Sequence, residues 1–147
     1  MVITTFPTFG YSQKSLPEKL GYKPELSIVF IALPELLAEL PDMVDFAKVA
    51  RRQDWARPIG PTHFDMIHAF SSSRAEIAAG LPKLLRALNP RGAIWLSWQK
   101  RSAKMPTDLT EDVVRSEALK FGLVDIKVAA IDTTWSGLKL VRRLVSA

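Results

Sequence analysis

Three mainly apolar runs stand out along the chain, over residues 27–33, 64–70 and 93–98, with few polar residues among them. A strand that is apolar on both faces belongs in the middle of a sheet that is covered on both sides. Between these runs, apolar residues recur every three or four positions, which is typical of amphipathic helices. The pattern therefore predicts three central strands in a layered fold of strands and helices.

Capping patterns predict where two of the helices begin. Ser15 is followed three residues later by Glu18, and Ser73 by Glu76, as in an N-terminal capping box. Behind Ser73, leucine and isoleucine keep to one helical face up to residue 88. Pro82 lies inside this stretch, where a kink or a restart of the helix is expected because proline lacks the amide hydrogen.

Weaker patterns complete the order of elements. A short helix is predicted between Pro34 and Pro41, and a longer one over residues 111–121, before Gly122. Residues 51–62 form the expected central loop. Three more strands are predicted over residues 44–49, 124–131 and 138–145, the last two as a hairpin.

Strands and helices alternate along most of the chain, which ends in a strand pair. This order predicts a three-layer αβα sandwich with a mostly parallel, Rossmann-like sheet and an antiparallel strand in the C-terminal hairpin. The length of 147 residues is typical of one domain, and no repeat or linker divides it. We expect a single domain over residues 1–147, with residues 1–14 as an irregular N-terminal arm.

Composition is that of an ordinary globular protein, with 48% hydrophobic and 24% charged residues, which excludes a disordered chain. The absence of cysteine excludes disulfides and thiolate metal sites. The most apolar stretch, residues 26–40, contains acidic residues and is too short to span a bilayer. The first fourteen residues lack the features of a signal peptide. We therefore expect a cytoplasmic protein without membrane contact.

The chain carries a net charge of +5, from 20 Lys+Arg and 15 Asp+Glu. Such a charge favours encounter with acidic partners or nucleic acid. The basic residues, however, are scattered and have acidic residues between them. A solvated surface is the simpler interpretation, and weak nucleic-acid binding is kept as an alternative.

Short segments next to the predicted strands resemble those of a known fold. Residues 20–24 and 88–92 precede two strands as in the class I S-adenosylmethionine-dependent methyltransferase fold. Four further segments, residues 97–100, 107–115, 122–125 and 134–139, resemble a family of small bacterial proteins of unknown function, over residues 12–143. That family usually has proline where this chain has Gln99. The resemblance implies a methyltransferase-like fold without an assigned reaction.

The resemblance also bears on the cofactor. Class I methyltransferases have a glycine-rich turn after the first strand, which lets the backbone approach S-adenosylmethionine closely. Here Leu33 and Pro34 stand in that turn, and proline has no amide hydrogen to donate. Binding of S-adenosylmethionine is thus possible but disfavoured. Asp45 and Asp54 are weak counterparts of the acidic residue that such enzymes offer to the ribose.

Other catalytic signatures are missing from the sequence. It has no glycine-rich phosphate loop, no Gly-x-Ser-x-Gly turn and no paired-histidine helix motif. His63 and His68 stand five residues apart, so that on one strand they would point to opposite faces. We predict structural histidines, no metal site and no catalytic residue.

Ligands of α/β sheets bind outside the carboxyl ends of the parallel strands. The loops predicted there combine hydroxyl, cationic and indole groups, which suit an anionic or aromatic ligand. The alternative is purely structural, with caps at a helix and indoles in the core. The candidate ligand-binding residues are Pro34, Ser72, Ser73, Ser97, Trp98, Lys100, Arg101, Thr107, Asp108, Asp132, Thr134 and Trp135.

Three functions remain open at this point. The sequence favours a non-catalytic domain that uses the methyltransferase-like scaffold for ligand sensing or protein interaction, with a small anionic or aromatic molecule or a protein as its partner. One alternative is a methyltransferase or another nucleotide-binding enzyme with an altered cofactor site. The other is a weak nucleic-acid binder.

Overall fold

The computed structural model describes residues 14–60 and 63–144. Six strands form one sheet: β1 (Ser27–Ile31), β2 (Lys48–Arg52), β3 (Phe64–Phe70), β4 (Leu88–Gln99), β5 (Leu123–Ala130) and β6 (Trp135–Arg142). The α-helices are α1 (Leu16–Leu20), α2 (Arg74–Arg86) and α3 (Glu111–Leu119), and short 3-10 helices lie at Glu35–Leu37, Leu40–Asp42 and Arg101–Ala103. The expected N-terminal arm lies outside the described residues, except for Lys14.

The strand order across the sheet is β2-β1-β3-β4-β6-β5. Strands β1, β2, β3 and β4 run parallel, and β6 runs antiparallel to both β4 and β5. The predicted α/β sandwich, with a mostly parallel sheet and an antiparallel C-terminal strand, is confirmed. The last strand is thereby inserted between β4 and β5, although β5 precedes it in the chain.

The sheet is covered on both faces. On one face, which we call the two-helix face, α2 and α3 pack Leu81 and Val114 against strand residues such as Leu96. On the other, the short-helix face, α1 and the 3-10 helices that follow β1 cover Phe30 and Trp95. Strands β1 and β3, and β4 from Gly92 to Trp98, are buried almost throughout, as their mainly apolar runs predict. None of the described helices is long and apolar enough to cross a membrane.

Three predicted elements are corrected by the structure. Strand β6 covers Trp135–Arg142 and not residues 138–145. Strand β2 begins at Lys48 and not at residue 44, so that Arg51 and Arg52 belong to a strand and not to the loop. It is an edge strand with mostly exposed side chains, and its sequence therefore carries little apolar signal. The helix predicted between Pro34 and Pro41 consists of two 3-10 turns. Only six residues lie between Pro34 and Pro41, which leaves little room for the backbone hydrogen bonds from residue i to residue i−4 that an α-helix requires.

Helix α2 is continuous through Gly80 and Pro82, so the predicted restart is not observed. Gly80 allows the helix to approach the indole of Trp55. A Cβ atom at this position would lie 2.7 Å from Trp55 Cζ3 and closer still to Cε3. The indole itself is held in place, because its Nε1 donates a hydrogen bond to the carbonyl oxygen of Phe70 at 2.8 Å.

Candidate functional site

A crevice of about 390 Å³ opens at the carboxyl ends of β1 and β4. We call it the β1–β4 crevice. Its walls come from the turn after β1, from the end of β4 with the segment behind it, and from the turn between β5 and β6. The residues that line it are Pro34, Glu35, Leu36, Gln99, Ala103, Met105, Asp132, Thr134 and Trp135. Four of the predicted site residues, Pro34, Asp132, Thr134 and Trp135, are thus brought together.

The first wall begins at an unusual turn. Ala32, directly after β1, has a φ of 57°, the left-handed conformation that glycine adopts without strain. Its amide donates a hydrogen bond to the carbonyl oxygen of Arg52 at 3.0 Å, which ties the turn to β2. The chain then continues through Pro34 into the first 3-10 helix. A residue with a side chain therefore occupies a backbone conformation suited to glycine.

This conformation leads to a stability prediction. Ala32→Gly is expected to raise the free energy of unfolding by about 0.5 to 1 kcal/mol, because glycine removes the strain but adds entropy to the unfolded chain. Urea denaturation would measure the difference. The matched control is Ala38→Gly, at a φ of −60°, which should lower stability by a similar amount. A loss of stability in both variants would contradict the assigned strain.

Trp135 is fixed by its own turn and by the core. Asp132 Oδ1 accepts hydrogen bonds from the amides of Thr134 at 2.8 Å and Trp135 at 2.7 Å. The ring of Trp135 packs edge-on against Phe70, with 5.4 Å between ring centroids. One side of the indole is thereby supported while the residue still lines the crevice. Such an aromatic wall suits stacking with a ring of a ligand.

Lys100, another predicted site residue, is used to hold the same turn. Its amide donates to the carbonyl oxygen of Thr134 at 2.8 Å, and its Nζ donates to that of Asp132 at 2.9 Å. Lys100 and the exposed Arg101 next to it are not among the lining residues. The ionisable groups that do line the crevice are the carboxylates of Glu35 and Asp132. Its charge thus favours an aromatic or cationic ligand over an anionic one.

Apolar side chains form the mouth of the crevice. Leu36 is 92% exposed and Met105 is 49% exposed. A leucine that is almost completely solvated contributes little to the fold, and its position at a pocket is typical of a ligand contact. Leu36 and Met105 were not predicted as site residues, because exposure of an apolar side chain leaves no signal in the sequence. Gln99 was singled out only as a departure from the related family.

Four other predicted residues form a separate cluster at the amino end of α2. Ser73 caps the helix, since its hydroxyl accepts a hydrogen bond from the amide of Glu76 at 3.2 Å. Asp108 Oδ1 accepts one from the amide of Arg74 at 2.7 Å, and the hydroxyl of Thr107 donates to the carbonyl oxygen of Ser72 at 3.1 Å. These side chains join α2 to the loop before α3. This agrees with the alternative that these residues have a purely structural role.

Ser97 and Trp98 lie in the core and not at the crevice. Trp98 packs on the two-helix face. Ser97 is fully buried on the opposite side of the sheet, where its hydroxyl lies 2.9 Å from Nε2 of His68. The hydroxyl of Tyr22 lies 2.6 Å from Nδ1 of the same ring. Both ring nitrogens are therefore hydrogen bonded inside the protein.

The buried imidazole is kept neutral. His68 stacks on Phe70, with 4.4 Å between ring centroids. Burial lowers the pKa of His68 to about 3, and it raises the pKa of Tyr22 far above its usual range. Complete burial with two hydrogen-bond partners fits the predicted structural role. Among residues 14–60 and 63–144, no cluster of three or more His, Asp or Glu side chains could hold a metal ion.

The two acidic residues considered as ribose ligands lie on either side of β2 along the chain. Asp54 follows β2 by two residues, where its Oδ1 accepts a hydrogen bond from the amide of Ala56 at 3.0 Å and its Oδ2 lies 3.9 Å from Arg57 Nε. Asp45 precedes the strand. Neither carboxylate lines the β1–β4 crevice.

Strand order, antiparallel insertion and the crevice at the carboxyl ends together define a methyltransferase-like α/β fold of class I. The N-methyltransferase NodS from Bradyrhizobium japonicum WM9 superposes with a TM-score of 0.60 at 10% identity, over 88% of this chain and 93% of that chain. The magnesium protoporphyrin IX methyltransferase from Synechocystis PCC 6803, solved with bound S-adenosylmethionine, gives 0.58 at 13% identity, over 86% and 76%.

The ribosomal protein L11 methylase from Lactobacillus delbrueckii subsp. bulgaricus gives a TM-score of 0.53 at 11% identity, over 82% of this chain and 71% of that chain. At such identities the similarity establishes the fold and not the activity. No protein-family model matches the chain, and a comparison with curated proteins finds no significant match.

The turn after β1 stands at the position where class I methyltransferases have a glycine-rich turn. Only Ala32 has the left-handed conformation there, and Pro34 has no amide hydrogen. The amides of Leu37 and Ala38 donate to the carbonyl oxygens of Pro34 and Glu35 at 2.9 and 3.1 Å, whereas those of Glu35 and Leu36 have no backbone acceptor among the described residues. The turn thus lacks an amide hydrogen at Pro34 but keeps two amides that no other backbone group uses.

Proposed function

We propose that this chain is a non-catalytic methyltransferase-like domain that binds a small aromatic ligand in the β1–β4 crevice. The observation that carries the proposal is the crevice itself, with Trp135 as an aromatic wall at the edge of the sheet where α/β folds bind ligands. Its volume of about 390 Å³ lies in the usual range of small-molecule pockets. Binding would serve to sense the ligand or to regulate an interaction with a protein.

The chemistry of the walls supports a binding role over a catalytic one. The imidazole of His68 is buried in the core, away from the crevice. The carboxylate of Asp132 is used to hold the β5–β6 turn through two backbone amides. The turn after β1 offers a proline and leucines in place of a glycine cradle. No hydrogen bond joins the hydroxyl of Thr134 to the carboxylate of Glu35 or Asp132, which line the same crevice.

One observation favours a second candidate, an enzyme that binds S-adenosylmethionine or another nucleotide in an altered pose. A second pocket, of about 280 Å³, lies at the carboxyl ends of β1 and β2 and is lined by Leu33, Arg51, Arg52 and Gln53. It adjoins the β1–β4 crevice through the Leu33–Pro34 bond. Arg52 donates to the carbonyl oxygens of Arg51, Pro58 and Ile59, whereas Arg51, beside a crevice with an aromatic wall, would suit a nucleotide whose phosphate and base bind separately.

Trp135 makes the proposal testable by fluorescence. The other three tryptophans, Trp55, Trp95 and Trp98, are buried, so a ligand in the crevice should act on the emission of Trp135. We expect adenosine, as an aromatic probe, to quench this emission and to raise the melting temperature. Trp135→Ala should weaken binding by about tenfold or more, since stacking on an aromatic side chain contributes about 1 to 3 kcal/mol per base.

Titration with S-adenosylmethionine and ATP separates the two candidates. Tight binding of either compound that Arg51→Gln and Trp135→Ala both weaken would support the altered cofactor site, whereas weakening by Trp135→Ala alone would support the proposal. Leu119→Ala, at an exposed leucine on α3, is the matched control and should leave all affinities unchanged. Absence of any response to the three probes, in emission and in melting temperature, would count against both candidates.

A further inference from the structure

Strand β5 forms an edge of the sheet, since its one strand neighbour among the described residues is β6. Unpaired backbone groups along such an edge are a template for another strand. The edge is also apolar in part, because Ile126 is 58% exposed and Val128 is 52% exposed. Large exposed apolar side chains on an open edge favour association, and proteins usually avoid them there.

Two lysines stand directly opposite each other beside this edge. In the register of β5 and β6, Lys127 pairs with Lys139 on the short-helix face. Like charges at opposed positions of an antiparallel pair are destabilising. Neither ammonium group forms an ion pair with a carboxylate within residues 14–60 and 63–144. The fold therefore maintains a repulsive pair that its own described residues do not neutralise.

The two ammonium groups lie near the end of α1. Lys127 Nζ donates to the carbonyl oxygen of Lys19 at 2.6 Å. Lys139 Nζ lies 3.0 Å from the position that a Cβ atom would take at Gly21, and it has no hydrogen-bond acceptor among the described residues. Burial, together with the charges of Lys127 and Lys23, lowers the pKa of Lys139. An anion near these groups would relieve the repulsion.

A cavity of about 280 Å³ lies at the same place. It is lined by Lys14, Lys19 and Lys127, and by residues 128–130 of the strand edge. Lysine side chains and residues of the β5 edge thus line the same cavity. On the other side of the strand, Val128 faces away from the lysines, since successive residues point to opposite faces.

We propose that the β5 edge binds an extended peptide segment of a partner protein as an added strand, with acidic residues alternating with apolar residues. Side chains of an added strand alternate between the two faces of the sheet. Every second residue would then face Lys127 and the neighbouring lysines, where a carboxylate fits. The residues between would lie beside Val128, where an apolar side chain fits.

Charge argues against two other occupants. A second copy of this chain, paired edge to edge, would bring its own lysines against Lys127 and Lys139. A nucleic acid would supply phosphates, but within residues 14–60 and 63–144 no aromatic side chain lines the cavity to stack with its bases. The open backbone edge also favours a peptide, because a peptide can pair with it.

The test measures binding of a fluorescent peptide, about eight residues long, in which Glu alternates with Val, to the full chain by anisotropy. We expect binding that weakens as salt is raised. A peptide of the same sequence with alternate backbone nitrogens methylated should bind at least tenfold more weakly, because it cannot pair with the edge. Equal binding of both peptides, or preferential binding of single-stranded DNA, would overturn the proposal.

Three variants assign the binding to the edge. Lys127→Gln and Lys139→Met are each expected to lower the affinity for the peptide by about fivefold to tenfold. Lys139→Met should at the same time raise the melting temperature, since it removes the like-charge pair. Arg86→Gln removes the same charge from α2, on the two-helix face, and should leave the affinity unchanged. Weakening of equal size in all three variants would show a nonspecific charge effect and reject the site.

Discussion

The free energy of unfolding is expected to fall as the pH is lowered below 7, with a slope that approaches about 1.4 kcal/mol for each pH unit near pH 5, because of His68. The pKa of His68 is lowered from 6.5 to about 3 by burial, so the unfolded chain takes up a proton in this range while the folded chain does not. Stability from this group is complete above pH 6.5 and is lost as the pH falls towards 3. Urea denaturation at pH 7, 6 and 5 measures the slope.

Matched histidine variants make this expectation specific. His68→Gln should lower stability at pH 7, because glutamine cannot reproduce the bonds to Tyr22 and Ser97 together with the packing on Phe70. The same variant should abolish the slope between pH 6.5 and 5. His63→Gln, at an exposed position, should leave the slope as it is. A slope that survives in His68→Gln would show that another group titrates on unfolding.

Gly80→Ala is expected to lower the free energy of unfolding by about 2 kcal/mol. Helix propensity alone would favour alanine by about 1 kcal/mol. The added methyl group, however, would overlap the indole of Trp55, which is held by its bond to Phe70. Overpacking of a core costs about 1 to 3 kcal/mol, and the loss of that bond adds to it. The steric effect therefore exceeds the gain in propensity.

A double-mutant cycle checks the cause. Trp55→Ala alone should be destabilising, because it leaves a cavity in the core. In that background Gly80→Ala should become neutral or stabilising, since the methyl group then has space and propensity decides the sign. Chemical denaturation of the four proteins gives the coupling energy. Additive losses would show that the indole is not the partner of Gly80.

The sequence predicts best those elements whose physical cause is local. Strands β1, β3 and β4 are buried on both faces over most of their length, and this leaves a mainly apolar run in each. Ser15 forms the complete capping box with Glu18. Ser73 also caps its helix, but the Glu76 carboxylate accepts a hydrogen bond from Ser71 instead of completing the box. The bond from Ser71 thus takes the place of the bond from the Ser73 amide that a complete capping box would have.

The crevice could be predicted in part. Pro34, Asp132 and Trp135 follow from the rule that ligands bind at the carboxyl ends of the strands. Leu36 could not be predicted, because exposure depends on how the turn is packed and not on its composition. The like-charge pair at β5 needs the strand register, which a bulge near Ile126 shifts. Cytoplasmic location and weak nucleic-acid binding stay predictions.

The place of β6 in the sheet has a consequence for synthesis on the ribosome. Strand β5 leaves the exit tunnel before β6, yet it reaches β4 only through β6. A nascent chain that ends near Ile131 therefore presents an open side of β4, and β5 has no strand to pair with until residues 135–142 have emerged. This half of the sheet closes only after β6 has emerged, and until then its exposed strands are available to chaperones.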